Sequence, residues 1–190
     1  PAESAFKWIR IHDQAMEVFF TAQQYETVHM SVMEQSYLQA LLMLYQHNNE
    51  KARSIFEDIA SAHPSFQPAQ WGLAEIYRRT YQEEKAEKIL AGVMQKAPDF
   101  SPAYITLGFL RYSQFKLTEA LALGYRALEH VPQIDQHNLV RAHLLITAAS
   151  GLIAHHGNPV EKMSHGIRAL KHLRTAEKIL PRSADVLYAR

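Results

Sequence analysis

The chain has 190 residues, 47% of them apolar, and a formal net charge of +1. That is enough apolar material for one substantial core, while the near-neutral balance leaves no electrostatic footprint for nucleic acid or an anionic membrane. There is no cysteine, which excludes a disulfide framework, a zinc ribbon and a thiol nucleophile, and no apolar run approaches the roughly 18 residues that membrane insertion needs.

The first residue is Pro1 rather than Met, so any targeting peptide would precede it. That start says nothing of the compartment, which stays unassigned; with no membrane-length apolar run, the expectation is a soluble protein, cytoplasmic or periplasmic. Residues 1–32 carry Phe6, Ile9, Met16, Phe19, Phe20 and Tyr25 as an apolar stripe at helical spacing. They are expected to form a helical segment that packs on or caps the rest of the chain.

From residue 33 the chain becomes periodic. Pro64, Pro98 and Pro132 are 34 residues apart, and units of that length cover 33–66, 67–100 and 101–134. The eighth position of successive units is Ala40, Ala74, Gly108 and Ala142; the twentieth is Ala52, Ala86 and Ala120. Small side chains at these two places let paired helices approach to their roughly 8–10 Å packing distance. Proline at position thirty-two ends the second helix, because it lacks an N–H and clashes with the preceding turn. A 34-residue period predicts an all-α stack of antiparallel helical hairpins, each burying its apolar face against its neighbours.

The fourth unit, 135–183, is longer: its closing proline is Pro181, 49 residues after Pro132. Counted back from Pro181, Ala169, Leu173 and Ala176 fall at positions twenty, twenty-four and twenty-seven. The extra 15 residues are close to four turns at 3.6 residues each. This predicts a protruding hairpin with helices near 136–155 and 160–180 and its tip at His156-Gly157-Asn158-Pro159. Residues 184–190 read as the start of a further unit: either the protein continues beyond Arg190 or this stub packs as a cap.

Within the second unit, Trp71-Gly72-Leu73-Ala74 followed by Tyr77, Ala86, Leu90 and Pro98 resembles the tetratricopeptide repeat pattern, with tryptophan one place later than the family has it. The resemblance covers about residues 33–181. It implies a right-handed superhelix, or solenoid, whose concave face binds a protein or peptide partner. First-helix positions on that face include Tyr37, Leu41, Trp71, Glu75, Arg78, Arg79, Phe109, Tyr112 and His143. Aromatic anchors with arginines suit an extended peptide or a partner helix. The alternatives are a groove filled by the N-terminal helix and one covered in a homo-oligomer. Some members of the family clamp acidic chaperone tails with Lys and Asn. The matching positions here are Tyr37, Leu41, Gly72, Pro102 and Thr106, so that clamp is not expected.

Of the eleven histidines, His155, His156, His165 and His172 gather in the long hairpin. Lacking cysteine partners or a one-turn spacing, they read as surface residues rather than metal ligands. No phosphate-cradling glycine loop, glycine-flanked serine or paired-histidine zinc motif is present. Adjacent carboxylates such as Glu57-Asp58 and Glu83-Glu84 diverge on a helix. The expected function is thus non-catalytic protein recognition without cofactor or metal. A structural oligomer assembling through the long hairpin or the N-terminal helix is the alternative, as is a soluble accessory component of a transport or secretion system.

Overall fold

The computed structural model describes residues 31–181 and residue 186; the apolar stripe expected over residues 1–30 lies outside them. Every regular element among the described residues is a helix, and together they form an all-α helical repeat. The chain divides into two compact units, residues 1–97 and 98–190.

The first unit holds α1 (Val32–Tyr45), α2 (Asn49–Ala62), α3 (Gln67–Arg79) and α4 (Glu83–Lys96). Each helix packs on the next in sequence, and α1 also meets α3. The small positions lie at the crossings: Ala40, Ala52, Ala74 and Ala86 are fully buried. Gly72 serves the same end, since a Cβ there would sit 2.5 Å from the Phe56 ring. Phe56 fills the space opened by that glycine, with Tyr37 edge-on to it at 6.0 Å and to Phe66 at 5.2 Å.

The second unit holds α5 (Ser101–Ser113), α6 (Leu117–His130), α7 (Gln136–His156) and α8 (Pro159–Ile179). Its core joins Ala120, Leu121, Leu145, Ile146 and Ala149, flanked by Phe109, Tyr112, Leu128 and Ile153. A second cluster places Val140 and Leu144 of α7 with Ala176 of α8 and Val186. Gly108 and Gly124 let Leu145 and Ile146 approach their helices, for a Cβ at either would collide with those side chains.

The period is written in the backbone as well as in the side chains. His47, Tyr81 and Phe115, again 34 apart, are the non-glycine residues with positive φ among those described, at 59°, 58° and 58°. Each closes the first helix of a hairpin in the same way. The next residue donates its N–H to the carbonyl five residues back: Asn48 to Met43 at 2.9 Å, Gln82 to Tyr77 at 2.8 Å, Lys116 to Arg111 at 2.9 Å. This is the Schellman closure, which places one left-handed residue just past the helix. The fourth unit would reach that residue at Ala149, but Ala149 is buried in mid-helix. Instead α7 and α8 each run 21 residues, against 13 and 14 in α5 and α6. Their turn is made by Gly157 and by Asn158. The Asn158 side chain caps α8 in a reciprocal box with Glu161, and Pro159 stands at the first turn.

The helix-closing prolines act through the residue before them. α2, α4, α6 and α8 stop two residues short of Pro64, Pro98, Pro132 and Pro181. The residues between, His63, Ala97, Val131 and Leu180, have ψ of 72°, 76°, 119° and 80°, outside the helical region that proline disfavours for its predecessor.

Candidate functional site

The sequence places one residue of each first helix at the ninth position of the repeat: Leu41, Glu75, Phe109 and His143. In the first unit this register is closed. Tyr37, Leu41, Trp71 and Glu75 are all buried. The Glu75 carboxylate accepts from Arg78 Nε at 3.0 Å and Nη2 at 2.8 Å, and from Arg79 Nε at 3.0 Å. Arg79 Nη1 also donates to the Leu44 carbonyl at 2.8 Å, tying α3 to α1. Burial of Arg78 works against its charge, but the Glu75 charge and hydrogen bonds outweigh it and raise its pKa above the ordinary arginine value. Both guanidiniums, expected to select a partner's carboxylate, already hold one within the chain.

In the second unit the corresponding surface is open. Phe109, Tyr112 and His143 are half-buried, and the Arg141 guanidinium lies over the Phe109 ring at 6.0 Å. A cleft of about 410 Å³ runs along the long hairpin, open to solvent. Tyr112 of α5 forms one end. Thr147, Ala148, Gly151, Leu152 and His155 supply the α7 wall, and Ala169, Leu170 and Leu173 the α8 wall. Gly151 widens it, because nothing stands within 4 Å of where its Cβ would be. The lining is mainly apolar with a few polar groups, the composition of a pocket for an apolar side chain.

Beside the cleft sits a pair of imidazoles. His143 Nδ1 and His172 Nδ1 are 2.7 Å apart, so one ring donates and the other accepts. Tyr125 of α6 meets the far edge of His172, its hydroxyl 3.5 Å from Nε2. Burial lowers the pKa of both rings; at His172 burial is joined by the charges of His143, Lys171 and Arg168, and the value falls to about 4. Both rings are therefore neutral at physiological pH, as a shared proton between two nitrogens requires.

His172 is thus not the surface residue its neighbours suggested. It is buried between α7 and Tyr125, whereas His155 and His156 are exposed and His165 is partly so. The signal for it was the register: counted back from Pro181, His172 falls at position twenty-three, held by Ile55, Ile89 and Leu123 in the other units. Among the described residues no group of three or more His, Asp or Glu comes together, and no helix is long and apolar enough to cross a membrane.

Comparison with known proteins fits this geometry. Residues 43–108 match the family model described as tetratricopeptide repeat. The chain superposes on TTC0263, a thermophilic TPR protein from Thermus thermophilus, with a TM-score of 0.61 and 15% identity, over 97% of this chain and 91% of that one. A chain of the APC/C hetero-tetramer Cut9–Hcn1 aligns over 95% of this chain and 45% of its own at 12% identity, with a TM-score of only 0.32. No curated protein matches in sequence. Residues 43–108 thus match the tetratricopeptide repeat model, and the chain as a whole shares the all-α fold of a solved TPR protein.

Proposed function

We propose that this chain is a non-catalytic protein-recognition module, and that the cleft of its second unit receives apolar side chains from a partner segment. The observation that supports this is the contrast in availability along one register. Tyr37, Leu41, Trp71 and Glu75 are buried, while Tyr112 and the α7–α8 walls enclose about 410 Å³ of open, mainly apolar space. Tyr112 offers a rigid aromatic face at the mouth, and Thr147 and His155 offer hydrogen-bonding groups that would set orientation. Phe109 packs on the core cluster of Leu145 and Ile146, and His143 pairs with His172, so neither lines the cleft. Arg78 and Arg79 then act inside the fold, holding Glu75.

The test fills the cleft without touching the core. Ala148→Trp is expected to abolish cross-linking of a partner that the parent chain captures, with the helical circular dichroism unchanged. Capture that survives Ala148→Trp would remove the cleft from the reading, and loss on Arg78→Ala alone, with the fold intact, would return the contact to the first unit.

A further inference from the structure

The long hairpin has a second surface, on the side of α8 that faces away from α7. Val160, Met163, Ile167 and Leu170 are 71%, 66%, 62% and 56% exposed. They recur at intervals of three and four residues, so at 100° per residue they form one narrow line along the helix. The buried residues His172 and Ala176 fall on the opposite side. A line of alternating three and four spacing is the seam of a two-helix coiled coil rather than the broad apolar face that a helix lying in a lipid surface presents.

The charges beside the seam are predominantly positive. Lys171, Arg174 and Lys178 are exposed, and Arg174 continues the seam itself one step beyond Leu170. From Gln136 to Ile179 the sequence has six Lys or Arg against two carboxylates, Glu161 and the half-buried Glu177, in a chain whose net charge is +1. Glu161 is occupied at the helix start, where it accepts from the Asn158 N–H at 2.9 Å. A second copy laid parallel against this seam would set lysine and arginine against lysine and arginine, which opposes that association.

We infer that the outer face of α8 docks an acidic amphipathic helix of a partner protein. The partner would place apolar side chains against Met163 and Ile167 and carboxylates toward Lys171, Arg174 and Lys178. This surface is separate from the cleft, sharing with it only Leu170, so each can fail without the other.

The probe is a fluorescent designed peptide of about four heptads, with Leu and Ile in its seam and Glu beside it; its twin carries Lys in place of Glu. By fluorescence anisotropy the Glu peptide is expected to bind and to weaken as salt rises, and the Lys peptide not to bind. Met163→Ser with Ile167→Ser should weaken the Glu peptide about tenfold or more. Lys171→Glu with Arg174→Glu, which leaves every apolar contact in place, should reverse the preference toward the Lys peptide. Failure of the Glu peptide to bind, equal binding of both peptides, or unchanged binding by both double variants overturns the inference. So does uptake by phosphatidylserine vesicles, or a concentration-dependent dimer, that the Met163→Ser/Ile167→Ser variant loses while the Glu peptide binds neither form.

Discussion

The ninth position of the repeat is a buried carboxylate in the first unit and a half-buried imidazole in the second. Around Glu75 the inner surface is finished: three guanidinium hydrogen bonds and a tie to the Leu44 carbonyl leave the carboxylate fully engaged. Around His143 the partner is a second neutral ring, and the long hairpin carries an open apolar cleft beside it. One register can therefore serve stability in one place and leave a surface available in another. What decides between them is whether neighbouring side chains satisfy each other, not where the position falls in the repeat.

The largest effect expected from breaking this contrast is at Glu75. Glu75→Ala strands two guanidiniums that are about a quarter exposed, at 26% and 23%. Removing one partner of a buried pair costs about 3–5 kcal/mol, and partial exposure brings the expected loss down to about 2–3 kcal/mol. Urea unfolding measures it. His143→Ala should cost less in the same assay, and equal losses would mean that the two positions do the same work.

The imidazole pair sharpens the contrast through pH. Its folded pKa values lie below the ordinary 6.5, with His172 at about 4. The unfolded chain therefore takes up protons first as pH falls. The pair's contribution is fully present above pH 6.5, is lost between 6.5 and about 4, and changes no further below that. His172→Gln should flatten the slope of melting temperature against pH across that window. A slope unchanged by the substitution would show that the ring does not resist protonation.

Glycines separate packed surfaces from open ones. Gly72→Ala must displace the Phe56 ring and should destabilise by about 1 kcal/mol or more. Gly151→Ala and Gly166→Ala meet nothing within 4 Å and should each stabilise by about 1 kcal/mol through helix propensity alone. Calorimetric melting of the three variants reads the signs, and a destabilising Gly151→Ala would mean that the cleft is not open there.

The smallest effect is at the turns. Phe115 is 73% exposed and held at φ 58°, so Phe115→Gly removes a left-handed penalty and adds unfolded-state freedom against it. A net gain of about 0.5 kcal/mol is expected. A loss would show that the exposed ring has a contact of its own.

Much of the fold was legible in the residues. The spacing of Pro64, Pro98 and Pro132 marks the helix ends, and Ala40, Ala74 and Gly108 mark crossings where the structure leaves no room for a larger side chain. The site was legible only as a register. Spacing tells which side chains face inward, but Glu75 can choose among several donors, and only the packed helices bring Arg78 and Arg79 to it. His172 was hidden for a related reason: beside exposed His155, His156 and partly exposed His165, composition suggested solvent, while its place in the period pointed inward. The α8 seam is readable in Val160, Met163, Ile167 and Leu170, but its exposure follows from which side of α8 meets α7.

The Schellman turns carry one more consequence. Because three hairpins are closed by a single left-handed residue and a shared backbone pattern while the fourth turns at Gly157 and Asn158, the turn is interchangeable, and the helices on either side keep their faces only if the residues added between them complete whole turns. The fourth hairpin obeys this, with 15 added residues against close to four turns. Growth of such a hairpin is therefore stepwise: an addition of about two residues would rotate the distal stretch by roughly half a turn, carrying His172 out of the interface and the apolar seam into it. Length, in this repeat, behaves as a rotational setting.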